Sequence, residues 1–226
     1  MEVFNGISDP GNYELKYYYP TSVLVTGQDI IFFWVARMVM AGLEYEKTIP
    51  FHDVYFTGMV RDKLGRKMSK SLGNSPDLLN LIDTYGADAV RFGIMISSPA
   101  GNDLLFDEAS LEQGRNFNNK LWNALKLVKM WEEKMENGKW KVENGFATIW
   151  FESRLNEVKK EVEQLHVQFR LSEGLKTIYS LIWDDFCSWY LEWIKPNFGE
   201  NIDAETYNKT VFFFEELLQR LRPYIQ

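Results

Sequence analysis

The chain has 226 residues, 46% of them hydrophobic and 15% aromatic, a composition for packed cores rather than for a disordered chain. Its formal charge of −7 excludes a surface that attracts polyanions as a whole, so any phosphate binding has to be local. One cysteine, Cys187, and two histidines, His52 and His166, exclude an internal disulfide framework and leave no Cys/His zinc site.

Residues 1–13 are polar and turn-rich rather than basic then apolar, and no window approaches the roughly 20 charge-free apolar residues of a membrane span. We therefore expect a cytoplasmic protein without a membrane partner. Thr21 to Thr26 is a β-branched run closed by Gly27, the pattern of a buried strand. From Gln28, the residues Ile30, Phe33, Trp34, Arg37, Met38 and Ala41 recur at three and four, which predicts a helix that Gly42 stops. Asp53 to Val60 reads as a second strand, followed by a polar, glycine- and lysine-rich stretch to Asn74. Strand, helix and strand predict a parallel crossover unit. Ser75 and Pro76 fit the N-cap and N1 positions of a helix carrying Leu78, Leu79 and Ile82, and Ala87 to Ser97 predicts another.

Most of the prolines and glycines lie before residue 108, and beyond it charged and apolar residues interleave at helical spacing. The expected division is an α/β domain over 1–107 and an all-α domain over 108–226, both net acidic. Four helices are expected in the second: Glu108 to Met135, Thr148 to Gln168, Ser172 to Ile194 ended by Pro196, and Ala204 to Leu221 ended by Pro223. Residues 137–145 are expected to form a hairpin or loop.

The stretch from Arg61 to Lys70 holds five cations and one acid in an otherwise acidic chain. Such a cluster on a glycine-containing loop after a strand can clamp a polyphosphate, because ammonium groups follow charge as it develops. It is equally the composition of a solvated loop. A P-loop is excluded by its spacing. His52 reads as an ordinary loop residue, His166 as a surface one, and Cys187 as a small buried hydrophobe rather than a nucleophile.

The ordered string Lys67-Met-Ser-Lys-Ser71, followed by Gly73-Asn74, resembles the KMSKS signature of the class I aminoacyl-tRNA synthetases. The segments Tyr18 to Met38, Asp53 to Asp62, Tyr85 to Arg91 and Arg115 to Asn123 are similar to the valyl branch of that family. Asp185 to Glu192, ahead of Lys195-Pro196, is similar to its anticodon-binding helices. The resemblance implies the C-terminal half of a Rossmann-like catalytic domain followed by an anticodon-binding helical bundle. It implies an ATP-dependent ligase that activates valine and charges tRNA(Val), with Mg2+ accompanying ATP, in a parent enzyme that is monomeric.

Carried over residue by residue, Lys67 and Lys70 are the catalytic lysines that neutralise the triphosphate, and Ser69 and Ser71 add hydroxyl donors. Gly27 and Asp29 lie where a strand meets a helix. Asp29 either caps that helix or accepts the ribose hydroxyls, and the resemblance favours the ribose. Gly58 and Met59 correspond to the segment whose backbone holds adenine. Ile30 and Trp34, four apart, are the expected wall of the valine pocket, against the alternative that they are core, a role Phe33, Met38 and Ala41 are there to fill. Arg115, Asn119 and Lys120 form a polar face that is either solvated or set against tRNA phosphates. Trp183, Trp189 and Arg170 are candidate platforms for unstacked anticodon bases.

The family's His-Ile-Gly-His-like string, its inserted editing domain and its C-terminal coiled coil do not occur, and residues 220–226 read as a cut within a helical domain. The chain is therefore expected to be catalytically incomplete alone. The alternatives are a free-standing tRNA-binding module, or part of an isoleucyl enzyme.

Overall fold

The computed structural model describes residues 13–99, 101–133, 135–136, 142–197 and 200–225. The chain divides into two compact units, residues 1–59 with 100–103, and residues 60–99 with 104–226. The change of texture near residue 107 falls inside the second unit.

In the first unit, helix α1 (Tyr13–Tyr18) leads into strand β1 (Thr21–Gly27), which pairs in parallel with β2 (Phe51–Thr57) from Thr21 opposite Phe51 to Gly27 opposite Thr57. The parallel crossover is thus as expected. No residue of β1 is buried, however, and β2 is its one partner among the described residues. His52 lies on β2, exposed, rather than in a loop.

The crossover is not the single regular helix expected over 28–41. It runs as a 3₁₀ turn (Gln28–Ile30), a π-helical turn (Ile31–Val35), α2 (Ala36–Ala41) and a second π-helical turn (Gly42–Glu46), ending at Lys47 with φ of 57°. The run of branched and aromatic residues from Ile30 to Val35 loses side-chain freedom in a regular helix, and the Ala36 N–H reaches back five residues to the Ile31 carbonyl. Gly42 does not stop the helix. It lies within it, where a Cβ would come 2.6 Å from Tyr19 Oη and 3.1 Å from Pro50 Cδ. The wider π spacing also moves the buried face: Val35 is buried, whereas Phe33 and Ala41 are exposed and Met38 is half-buried, so the expected core set is corrected.

In the second unit, β3 (Val60–Arg61) pairs in parallel with β4 (Leu104–Leu105), so Val60 belongs to this pair and not to the strand expected over 53–60. Helix α3 (Leu78–Tyr85) is capped by Asp77, whose side chain accepts the Leu79 N–H at 3.0 Å, rather than by Ser75. Asp77 has the extended backbone and the short acceptor an N-cap needs, and Pro76 precedes the cap instead of opening the helix. Helix α4 (Ala87–Ile96) follows. Leu81 of α3, Val90 of α4 and Leu111 of α5 (Glu108–Glu132, capped by Asp107) form one small core.

Next come β5 (Met135–Glu136), α6 (Val142–Val167), α7 (Leu171–Ser180), a π-helical stretch (Leu181–Tyr190), α8 (Leu191–Ile194), β6 (Ile202–Asp203) and α9 (Ala204–Leu221). Helix α6 begins earlier than Thr148, so residues 142–145 of the expected loop are helical, and 137–141 lie outside the described residues. The main core is aromatic: Phe151 stacks on Tyr190 at 5.0 Å and meets Phe213 and Phe186 at 5.1 and 5.2 Å. A polar network crosses it. Asp203 caps α9 through the Thr206 N–H and hydroxyl, both at 2.8 Å, and accepts from Asn144 Nδ2 at 3.1 Å. Among the described residues no helix is long and apolar enough to cross a membrane.

Candidate active site

The cation-rich loop is a folded object, organised by its one acid. The chain turns back after β3: Asp62 and Arg66 pair through the backbone at 2.9 Å, Gly65 closes the turn at φ of 76°, and Arg61 bridges Lys67. The Asp62 carboxylate accepts the N–H groups of Leu64 and Arg66 at 3.0 and 2.9 Å, the Arg66 guanidinium at 2.7 to 2.8 Å, and Asn74 Nδ2 at 3.0 Å. These bonds, led by that from Asn74, hold its carboxyl well below the usual carboxylate range.

Asn74 is the second organiser. Its Oδ1 accepts the Ser69 N–H at 2.9 Å, and its Nδ2 also reaches the Lys67 carbonyl at 3.3 Å. Ser69 caps the 3₁₀ turn Lys70–Leu72, accepting from the Leu72 N–H at 3.3 Å, and its hydroxyl lies 3.1 Å from that of Ser71. Gly73 ends the turn in the left-handed region, at φ of 63°, where a Cβ would be strained. Lys67, Lys70 and Ser71 are exposed. A cleft of about 560 Å³ is lined by Asp62, Lys63, Met68, Asn74 and Phe106 among others, and by none of those three. Mobile ammonium heads on a fixed backbone suit binding of a flexible polyanion. Sequence reasoning missed the roles of Asp62 and Asn74. The signal was the single acid among five cations and the amide that follows Gly73.

In the first unit, Gly27 is the N-cap residue of the 3₁₀ turn and Asp29 lies in its first turn, so Asp29 is not the cap. Asp29 Oδ1 lies where it would be 2.7 Å from a Cβ on Gly27. Ile30 and Trp34 are 38% and 54% exposed, available as a wall rather than consumed as core. Gly58 is required by close approach: a Cβ there would fall 1.7 Å from the Asn102 carbonyl oxygen. The Met59 N–H is taken by Asp103 Oδ1 at 2.9 Å.

On α5, Asn119 is exposed, while its two basic neighbours are already engaged. Arg115 pairs with Glu112 at 2.7 Å and lies over the Tyr85 ring at 5.8 Å. Lys120 donates to Ser188 Oγ at 3.2 Å and sits 4.1 Å over the Trp183 ring. Trp183 stacks on Tyr179, Arg170 pairs with Glu173, and Trp189 is exposed, meeting Trp193 edge-on at 5.7 Å. His166 is not a plain surface residue: it is half-buried, with Nε2 2.5 Å from Tyr224 Oη. Burial pushes the Cys187 thiol up to about 11, as suits an inert, half-buried group. Among the described residues no group of three or more His, Cys, Asp or Glu could hold a metal ion.

Comparison with known proteins gives these geometries a family. The model for tRNA synthetases class I (I, L, M and V) matches residues 4–107, and that for the anticodon-binding domain of tRNA ligase matches 149–225. Valine–tRNA ligases of Phocaeicola vulgatus, Bacteroides thetaiotaomicron and Christiangramia forsetii are 60%, 59% and 53% identical over the whole chain. The chain spans 26% of the length of each of these relatives. The fold is shared with a Mycobacterium tuberculosis methionyl-tRNA synthetase in complex with methionyl-adenylate, at a TM-score of 0.74 and 18% identity over 99% of this chain and 46% of that one. It is shared too with a leucyl-tRNA synthetase from an Agrobacterium radiobacter ternary complex, at 0.69 and 19% over 91% and 26%. The architecture is accordingly part of a Rossmann-like domain followed by a helical anticodon-binding domain. Matched end to end by ligases of one kind, the chain belongs to the class I tRNA synthetases, as a segment of their valyl type.

Proposed function

We propose that the protein carrying this chain is a cytoplasmic, monomeric valine–tRNA ligase, which activates valine with ATP to valyl-adenylate and transfers the valyl group to tRNA(Val). The observation that carries this reading is the lysine loop, folded on Asp62 and Asn74 and matched in a chain 60% identical to a valine–tRNA ligase. The relatives speak for the valyl reading over an isoleucyl one, and the retained ATP loop speaks against a free-standing tRNA-binding module.

In activation, a valine carboxylate oxygen bonds to the α-phosphorus of ATP while the bond to the β-phosphate oxygen breaks, releasing pyrophosphate. No protein nucleophile is needed, so the rate depends on positioning and electrostatics. Lys67 and Lys70 neutralise the charge that grows on the leaving pyrophosphate, and Ser69 and Ser71 offer hydroxyls to the same oxygens. Asp29 accepts the ribose hydroxyls beside Gly27, Gly58 and Met59 present their carbonyls to the adenine amino group while the Met59 N–H stays with Asp103, and Ile30 with Trp34 walls the valine side chain. Mg2+ would come with ATP, whose phosphates and waters would supply most of its oxygen ligands. Residues 1–107 serve activation and 108–226 serve tRNA, with the Arg115, Asn119 and Lys120 face toward its phosphates once Arg115 exchanges Glu112, and Lys120 exchanges Ser188, for a phosphate oxygen. Support for that division is the class I match ending at residue 107.

The test is valine-dependent exchange of pyrophosphate into ATP by the full-length protein. Exchange with isoleucine in place of valine, or with neither, overturns the reading. The 226-residue chain alone should show none, and robust exchange by it would contradict the expectation that it is incomplete.

A further inference from the structure

We propose that Asn74 and Asp62 are positioning residues of the lysine loop, which fix the backbone from Lys67 to Ser69 before nucleotide arrives and so place the two ammonium groups. The inference rests on the function proposed above and adds residues to it. Asn74 makes one side chain serve three points: it accepts from the Ser69 N–H, donates to the Lys67 carbonyl, and donates to Asp62. Asp62 in turn gathers the N–H groups of Leu64 and Arg66 and the Arg66 guanidinium. The carboxylate is only 12% exposed, so these bonds are shielded from competing water.

Asn74 is the side chain that ties the Lys67 carbonyl and the Ser69 N–H to Asp62, so its loss removes bonds at both residues that flank Met68. A lysine head sits at the end of a long stem, so a small change in backbone direction displaces it by an ångström or more. Misplacement on that scale costs on the order of tenfold to hundredfold in rate. Ground-state binding of a mobile triphosphate is less sensitive, because flexible cations follow it. The loss should therefore appear in kcat rather than in KM.

The polarity of the pair makes the idea separable from a general loss of structure. Asn74→Asp sets a second carboxylate against Asp62 and removes two donors. Combining it with Asp62→Asn restores one amide facing one carboxylate. The experiment compares Asn74→Ala, Asn74→Asp and the exchanged pair in the full-length protein, by valine-dependent pyrophosphate exchange and by the rate of tryptic cleavage after Arg66, Lys67 and Lys70. We expect Asn74→Ala to lower kcat on the order of tenfold to hundredfold. Its KM for ATP should stay within about twofold, with faster cleavage in the loop. The exchanged pair should recover part of the loss seen in Asn74→Asp. Unchanged kcat in Asn74→Ala, cleavage no faster than in the unsubstituted protein, or an exchanged pair no better than Asn74→Asp overturns the proposal. No exchange by the unsubstituted protein overturns the function reading instead, while the cleavage rates still decide whether Asn74 holds the loop.

Discussion

Asp203→Ala should cost the second unit a large part of its stability. Asp203 is 5% exposed and does two things at once: it caps α9 through the Thr206 N–H at 2.8 Å, and it accepts from the Thr206 hydroxyl at 2.8 Å and Asn144 Nδ2 at 3.1 Å. Losing an N-cap costs about 1 kcal/mol. The substitution also strands the Asn144 amide, 9% exposed, and the Thr206 hydroxyl, 0% exposed, at about 1–3 kcal/mol each. Because the groups are neighbours these figures do not simply add, and about 4 kcal/mol is the expected total. For a unit of this size that lowers the melting temperature by roughly 8–16 °C. Thermal unfolding followed by far-ultraviolet circular dichroism reads the helices directly. Asp203→Asn keeps a capping oxygen and should lose far less. An alanine variant melting within about 2 °C of the parent would refute the idea that this carboxylate organises the end of the bundle.

Lys70→Ala in the full-length protein should slow adenylate formation more than it weakens valine binding, and unchanged single-turnover activation would remove the loop from the chemistry. Gly58→Ala drives a methyl group to 1.7 Å from the Asn102 carbonyl oxygen, an overpacking cost of about 1–3 kcal/mol. Amide exchange across β1 and β2 should accelerate while that of α5 to α9 stays as it was. The Cys187 thiol, raised from 9.0 to about 11 by burial against an opposing pull from Lys120, holds its proton more tightly in the folded chain than in the unfolded one. Its contribution is therefore complete below about pH 9 and declines as pH rises toward 11, with a ceiling of about 3 kcal/mol. Cys187→Ala should flatten stability over that window, and an equal slope in both proteins would count against it.

What could be read without coordinates followed from local chemistry. The parallel pairing of 21–27 with 51–57 was legible because β-branched runs flank an apolar stretch of crossover length, and α9 because charged and apolar residues interleave at helical spacing from Ala204 until Pro223 stops them. The crossover's own form was not, since the apolar periodicity of 28–41 fits α and π hydrogen bonding alike, and the bond from the Ala36 N–H to the Ile31 carbonyl exists only in the folded turn. The same limit hid the site's organisers. Lys67 and Lys70 announce themselves by type and order. Asp62 and Asn74 act through distances of 2.9 to 3.3 Å that only the folded turn creates. Lys120 shows the reverse case: a basic residue on a polar stripe that the fold spends on Trp183 and Ser188.

Tyr224 joins parts of the second unit made far apart in time. Its carbonyl accepts from Arg91 Nε at 3.1 Å, its hydroxyl meets His166, and that hydroxyl occupies the space a Cβ on Gly174 would need, 2.7 Å away. A ribosome releases the chain from its N-terminus, so α4 is exposed long before residue 224 leaves the exit tunnel. Helices α4 to α7 can pair with neighbours in the meantime, but the clasp across 133 residues closes only at the end of this segment's synthesis. The helical unit is thus one that the growing polypeptide cannot finish early.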